Sequence, residues 1–108
     1  MIYELRTYEP APGKMQALLE RFEAHSVRLF AKHGMTVIGF WTPVIGEWSN
    51  QLIYLLGYPT LAARELSWAA FQSDPEWLEV RANSEKDGPL VTRLRNQILK
   101  PTAFSPLK

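Results

Sequence analysis

The chain has 108 residues, of which 46% are hydrophobic and 12% aromatic, enough for one small domain with a single core. It contains no cysteine, which excludes disulfides, thiolate chemistry and cysteine-ligated zinc. The formal net charge is +1 and the basic residues are scattered without forming a stripe, so we expect no nucleic-acid partner.

The sequence offers no candidate for a membrane span. A bilayer-spanning helix needs about 20 apolar residues in a row, and no run of that length occurs. Strand-like sequence begins at Ile2, which leaves no room for a signal peptide. We therefore expect a cytoplasmic protein.

The first half of the chain predicts a strand, a long helix and a second strand. Ile2 to Tyr8 alternates in the manner of a β-strand. Lys14 to His33 carries apolar residues at three- and four-residue spacing, which predicts an amphipathic helix that ends at Gly34. Met35 to Val44 predicts the second strand.

The second half predicts two more strands around a second helical region. Gln51 to Tyr58 is nearly all apolar, which is typical of a central strand covered on both faces. Thr60 is the expected cap of a helix, and Asp74 followed by Pro75 marks another helix start. Leu90 to Leu99 predicts strand four.

These elements follow the order β-α-β-β-α-β, which predicts a ferredoxin-like α+β fold. Short, right-handed connections favour a four-stranded antiparallel sheet with the helices on one face and strands one and three in the centre. We expect one domain over residues 1–100. Residues 101–108 are expected to form an extended tail that packs on the domain or on a dimer partner.

The side of the sheet that no helix covers, here called the open face, needs a cover of its own. The assigned alternation places a mixture of charged and apolar residues on it: Ile2, Glu4, Arg6, Tyr8, Val91, Arg93, Arg95, Gln97 and Leu99. We expect Glu4 to pair with Arg93 or Arg95 across adjacent strands. A face of this kind predicts a homodimer in which two sheets meet, with Glu4, Arg6, Tyr8, Arg93 and Arg95 as the candidate dimer-face residues.

The two histidines are weak candidates for chemistry. His25 and His33 lie eight residues apart on one helix, too far to chelate one ion together, and we expect neither a metal site nor a cofactor. His33 suits the negative end of the helix dipole. His25 flanks the apolar stripe and is the one catalytic candidate, although a half-buried histidine with a backbone partner is the commoner situation.

Aromatic residues give a stronger indication of a ligand site. We expect Trp41, Tyr54, Arg64, Trp68 and Phe71 to be the ligand-binding candidates, in an apolar cavity between helices and sheet. Ordinary core packing is the alternative for the aromatics, and surface ion pairing is the alternative for Arg64. No Ser-His-acid constellation and no glycine-rich phosphate loop occurs, which argues against hydrolases and nucleotide-dependent enzymes.

An ordered set of short motifs resembles the NIPSNAP family of the dimeric α/β-barrel superfamily. The set comprises Glu4-Leu5-Arg6-Thr7-Tyr8, Pro12-Gly13, Gly34, Gly39-Phe40-Trp41, Gly46, Arg64, Phe71, Asp74-Pro75-Glu76-Trp77 and Pro101-Thr102-Ala103-Phe104-Ser105-Pro106. The resemblance implies a ferredoxin-like protomer and a dimer whose two sheets form a barrel. The wider superfamily includes cofactor-free monooxygenases and isomerases, so any enzymatic activity is expected to be of that kind.

Two hypotheses for function follow. The first is a small-molecule binder or enzyme that acts on an apolar or aromatic compound. It predicts a cavity of at least about 300 Å³ that contains His25 or Tyr54. The second is a non-enzymatic homodimeric interaction module, which predicts a filled core and an exposed apolar patch around Trp48 or Phe104.

Overall fold

The computed structural model describes residues 1–108 and forms one antiparallel sheet with strand order β2-β3-β1-β4. The strands are β1 (Ile2–Pro10), β2 (Thr36–Trp41), β3 (Leu52–Tyr58) and β4 (Val91–Leu99). The helices are α1 (Met15–Arg21), α2 (Val27–Lys32), α3 (Leu61–Ser73) and α4 (Pro75–Ser84). This is the predicted ferredoxin-like arrangement, with β1 and β3 in the centre. None of the helices is both long and apolar enough to cross a membrane.

The first helical region is continuous but not uniform. A π-helical turn, Phe22–Ser26, joins α1 to α2, where the sequence predicted one regular helix. Phe22 and Ser26 are buried within this turn, so the irregular backbone faces the core. The region ends at Gly34, whose φ of 82° lies in the left-handed region that glycine adopts without strain.

The second helical region is divided into two helices, α3 and α4, and a side chain caps the start of each. The Thr60 hydroxyl accepts a hydrogen bond from the Ala63 amide at 3.1 Å and begins α3. The Asp74 carboxylate accepts one from the Glu76 amide at 2.8 Å and begins α4, with Pro75 at its first position. Both caps were predicted from the sequence.

The predicted face assignment is wrong for β1. Ile2, Glu4, Arg6 and Tyr8 point towards the helices instead of the open face. Glu4 is completely buried, and its carboxylate accepts hydrogen bonds from Arg64 of α3. The expected pairing of Glu4 with a β4 arginine therefore does not form.

The assignment is correct for most of β4. Directly paired residues project on the same face, and the register sets Arg95 opposite Thr7 and Leu99 opposite Tyr3. Arg93 pairs with Glu9 across the strands, its Nε 2.6 Å from a carboxylate oxygen. Val91 is the exception: an irregularity in the β1–β4 pairing beside Glu9 turns it towards the core.

The core lies between the helices and the helix-facing side of the sheet, and aromatic rings dominate it. Tyr54 of β3 is fully buried at its centre. Its ring stacks on Phe30 at 5.9 Å and contacts Phe22 edge-on at 5.2 Å. On the opposite side, tail residues Ser105 and Leu107 line a small recess of the open face with Tyr3.

The left-handed backbone at Gly34 gives a direct stability test. Gly34→Ala should lower the free energy of unfolding by about 1–2 kcal/mol, because an L-residue is strained at that φ. An added Cβ would meet only the Ser67 hydroxyl at 3.6 Å, so no clash contributes. Urea denaturation followed by circular dichroism measures the change.

Gly46→Ala is the matched control. Gly46 does not have a positive φ, and a Cβ there has ordinary contacts from 3.6 Å outwards. Its effect should stay within about 0.5 kcal/mol. Equal losses in the two variants would contradict a backbone origin of the Gly34 effect.

Candidate functional site

A buried carboxylate organises the helix-facing side of the sheet. Glu4 accepts five hydrogen bonds: one from Tyr58 at 2.7 Å, two from Arg64 at 3.0 Å, one from Arg6 at 2.9 Å and one from Asn96 at 2.8 Å. Burial by itself raises the pKa of Glu4, but the hydrogen bonds from Arg64, Asn96 and Tyr58 outweigh it and lower the pKa to about 2. The group is therefore a carboxylate at neutral pH.

Arg6 links this carboxylate to two phenols. Its Nη1 donates to Glu4, its Nε donates to the Tyr54 hydroxyl at 2.7 Å, and its Nη2 donates to the Tyr8 hydroxyl at 3.0 Å. The guanidinium also lies 4.4 Å from the ring centroid of Trp68 in α3. Burial by itself lowers the pKa of Arg6, but the phenols and Glu4 outweigh it and raise the pKa above its usual value, so the guanidinium stays charged.

The two phenols are left with one unused proton. The Tyr54 hydroxyl donates to the Tyr8 oxygen at 2.8 Å, and Tyr8 also accepts from Arg6. Tyr54 is sealed in the core, where burial raises its pKa well above the usual value. Tyr8 lines a cavity. Donation from Tyr54 to Tyr8 therefore leaves the free O–H of Tyr8 at the cavity wall. Donation from Tyr8 to Tyr54 would instead leave the Tyr54 hydroxyl proton in the core without an acceptor.

That cavity, here called the central pocket, has a volume of about 480 Å³ and lies between the helices and β1–β4. Its walls include four arginines (Arg6, Arg21, Arg81 and Arg93) and four aromatic residues (Tyr8, Trp68, Phe71 and Trp77). The space exists because α4 packs chiefly on α3, α1 and the π-helical turn. The helix-facing side of β4 is consequently left partly uncovered, with Leu94 49% and Ile98 42% exposed.

A second cluster of charges forms another part of the wall. The guanidinium of Arg21 donates to Glu85 at 3.0 Å and to Ser84 at 3.2 Å, and it lies 5.1 Å from the ring centroid of Trp77. Arg81 donates to the same Glu85 carboxylate at 3.3 Å. The Nε of Arg21 is buried without a hydrogen-bond partner.

The structure brings together only some of the predicted ligand-binding residues. Trp68 and Phe71 line the central pocket. Tyr54 lies behind its wall and supports Arg6 and Tyr8, whereas Arg64 is engaged with Glu4 and Glu65.

Trp41 is apart from this set. It lies on the open face with its indole against Gly39, where a Cβ would come within 2.8 Å of the ring, and it is 52% exposed.

His25 is also separate from the central pocket. It lines a groove of about 580 Å³ between the first helical region and α4, and its Nδ1 has no hydrogen-bond partner. The cavity between helices and sheet therefore contains neither His25 nor Tyr54 in its wall. No group of three His, Asp or Glu side chains has the arrangement of a metal site.

His33 lies at the end of the first helical region and contacts the helix that begins at Pro75. Its Nε2 lies 2.7 Å from the Asp74 carboxylate, which also accepts from Lys32 at 2.8 Å. The hydrogen bonds from Lys32 and His33 hold the pKa of Asp74 well below its usual value. This contact joins the end of the first helical region to the start of α4.

Sequence reasoning missed several residues of the central pocket. Tyr8 was assigned to the open face, and Arg21 was not among the candidate residues. Arg21 follows Leu18 by three residues, and Leu18 is on the buried stripe, so the spacing held a signal. Trp77 was not among the candidate ligand-binding residues either. Arg81 and Glu85 are four residues apart, a spacing that allows an ion pair on one helix, but their place in the pocket wall depends on the tertiary packing of α4.

The family model of NIPSNAP matches residues 3–106. The chain belongs to the NIPSNAP family. It is 36% identical over 77 residues to Protein NipSnap homolog 3B of Mus musculus, a match that covers 71% of this chain and 30% of the mouse protein. The chain thus spans less than a third of that curated relative.

Solved NIPSNAP structures have the same fold. The structure of Atu4242 from Agrobacterium tumefaciens, a NIPSNAP family protein, is 30% identical with a TM-score of 0.86, and the match covers 100% of both chains. A NIPSNAP-like domain protein from Burkholderia xenovorans is 31% identical with a TM-score of 0.83, covering 97% of this chain and 88% of that one. These similarities show that the chain has the ferredoxin-like fold of solved NIPSNAP proteins.

Removing the Glu4 charge tests the buried cluster. Glu4→Gln should lower the free energy of unfolding at pH 7 by on the order of 3–5 kcal/mol, because it leaves the buried guanidinium of Arg6 without its carboxylate and removes one of the two carboxylates of Arg64. Glu23→Gln is the control, since Glu23 is exposed and makes no ion pair. Urea denaturation at pH 7 measures both variants.

The same comparison has a defined pH dependence. The pKa of Glu4 is about 2 in the folded chain and near 4.5 in the unfolded chain, so the unfolded chain binds more protons between these values. The stability difference between wild type and Glu4→Gln should be complete above about pH 5 and shrink as the pH falls towards 2. A difference that is constant from pH 7 to pH 3 would contradict the assigned pKa.

Proposed function

We propose that this NIPSNAP protein binds a small molecule with a flat, apolar body in the central pocket of each protomer. The observation that carries this proposal is the cavity of about 480 Å³ between helices and sheet. Pockets for small ligands commonly have volumes of about 300–1,000 Å³ and combine apolar walls with a few fixed polar groups. The central pocket has both features.

The aromatic walls suit a planar ligand. The rings of Phe71 and Trp77 lie 4.7 Å apart at 34°, and Trp68 contacts Phe71 edge-on at 5.4 Å. The indole N–H of Trp68 donates to Tyr58 at 2.9 Å, which fixes the orientation of this wall. A preorganised aromatic wall loses little conformational entropy when a ligand binds.

The proposal includes a cofactor-free isomerase or monooxygenase reaction of the bound molecule. The free O–H of Tyr8 can donate a hydrogen bond to a carbonyl or enolate oxygen of the ligand. The hydrogen bonds from Arg6 and Tyr54 hold that phenol in place. Charge that develops on the ligand oxygen would thus meet a fixed donor.

A neutral fluorescent probe tests occupancy of the central pocket. N-phenyl-1-naphthylamine should bind saturably with one molecule per chain, and its emission should rise on binding. Thr92→Trp places a large side chain at the pocket wall and should weaken this binding at least about ten-fold, because it removes space that the probe needs.

Thr36→Trp is the matched control on the edge strand β2, outside the central pocket. It should leave the binding of the probe unchanged. Saturable binding that is equally strong in wild type and Thr92→Trp would overturn the proposed location, and the absence of saturable binding to wild type would overturn the proposal itself.

We also propose that the protein is a homodimer whose open faces meet. Apolar side chains of the central strands remain partly exposed on that face, including Leu5, Ile53 and Leu55. The adjoining loop exposes Trp48 by 58%, and the tail exposes Phe104 by 88%. An uncovered apolar sheet face favours association with an identical face, since both copies then cover their central strands.

Sedimentation velocity should show a dimer of the wild-type protein at micromolar concentration. Leu55→Asp should convert it to a monomer, because it buries a charge in the proposed contact. Leu66→Asp is the control, since Leu66 is 74% exposed on α3 and should leave the dimer intact. A monomeric wild type, or a dimeric Leu55→Asp variant, would contradict the proposed interface.

A further inference from the structure

The central pocket carries one more positive charge than its own carboxylates neutralise. Arg6 is matched by Glu4, and Arg93 is matched by Glu9. Arg64, the other cation on Glu4, also pairs with Glu65. Arg21 and Arg81, however, share the single carboxylate of Glu85, at 3.0 and 3.3 Å. One guanidinium charge in the wall therefore has no counterion of its own.

Arg21 has a specific, unused hydrogen-bond donor. Its side chain is only 7% exposed, and its guanidinium lies over the ring of Trp77. The Nη1 atom is engaged with Ser84 and Glu85, whereas the buried Nε has no partner. Leaving a charged donor buried without an acceptor is costly, so this wall is incomplete until an acceptor arrives.

Tyr8 supplies a second donor in the same wall. Its oxygen already accepts from Arg6 and from Tyr54, so the only hydrogen bond still open to it is donation of its own proton. The residues that line the central pocket thus carry two N–H or O–H donors that lack acceptors, one unmatched positive charge and an aromatic surface. A negatively charged oxygen ligand would complement each of these polar features.

We infer that the ligand of the central pocket is a flat organic carboxylate. Its carboxylate accepts hydrogen bonds from the donors of Arg21 and Tyr8, and its ring system lies against Trp68, Phe71 and Trp77. This inference rests on the proposed function, which requires only that the pocket binds a small apolar molecule. A carboxylate matches the single excess charge, whereas a phosphate carries about 1.5 to 2 negative charges at neutral pH and would exceed it.

A pair of isosteric probes tests the charge. 2-Naphthoate and 2-naphthamide have the same ring system and nearly the same shape, but only the first is an anion at pH 7. Calorimetric titration of the wild-type protein should show at least about ten-fold tighter binding of 2-naphthoate, as expected for hydrogen bonds to a charged group.

Two arginine variants show whether the preference arises in the pocket. Arg21→Met should abolish the preference for 2-naphthoate. Arg28→Met makes the same change in net charge at an exposed arginine that pairs with Glu76 outside the central pocket, and it should keep the preference. Arg21→Lys retains a cation beside Glu85, so it should fold. Because it lacks the Nε donor, it should bind 2-naphthoate several-fold more weakly than wild type does. Thermal denaturation of each variant verifies folding.

The outcomes separate the inference from the proposed function. Equal binding of both probes, competitive with N-phenyl-1-naphthylamine, would keep the proposed function and overturn the carboxylate. Tighter binding of 2-naphthoate that persists in Arg21→Met would overturn the role of Arg21. Failure of all three probes to bind would overturn the proposed function, and the inference with it.

Discussion

A single buried carboxylate constrains this fold. Glu4 is on a central strand, has no exposed surface and is ionised, which is tolerable only because every lone pair that it presents to the protein has a donor. Its donors come from β1, β3, β4 and α3. The carboxylate therefore fixes the register of three strands and the position of one helix at the same time. A buried ion pair is not by itself a source of net stability, and its clearer effect here is to specify one arrangement.

This arrangement also determines what the central pocket presents. Glu4 holds Arg6, and Arg6 holds the two phenols, so that the unused proton of Tyr8 lies in the pocket wall. The opposite wall is built by α4, which is tied to the first helical region through Asp74 and Arg21 rather than lying on β4. The central pocket is thus the space between the sheet, whose side chains are ordered by Glu4 and Arg6, and α4, which does not pack on β4.

The sequence was sufficient for the topology but not for the site. Thr60, Asp74-Pro75 and Gly34 are local signals whose physics depends on few neighbours, and each marked the correct boundary. Alternation along β1 correctly separated two faces, yet alternation does not say which face is covered. Charged residues such as Glu4 and Arg6 are typical of an exposed face. The carboxylate of Glu4 can be buried only because it has partners that are distant in sequence, such as Arg64 and Asn96, and the sequence does not show these partners. Likewise, the unused donors of Arg21 and Tyr8 follow from counting hydrogen bonds, which requires coordinates.

The most direct test of this account is the ionisation of Glu4 in the folded protein. Carbon-13 NMR of the side-chain carboxyl carbon, assigned by comparison with Glu4→Gln, follows that ionisation as the pH is lowered. The account predicts that Glu4 is still ionised in the folded protein at pH 4, and that its resonance titrates with a midpoint near 2. A midpoint at or above the ordinary value of 4.5 would contradict it, because a neutral Glu4 could not hold Arg6 and Arg64 in the arrangement on which the pocket depends.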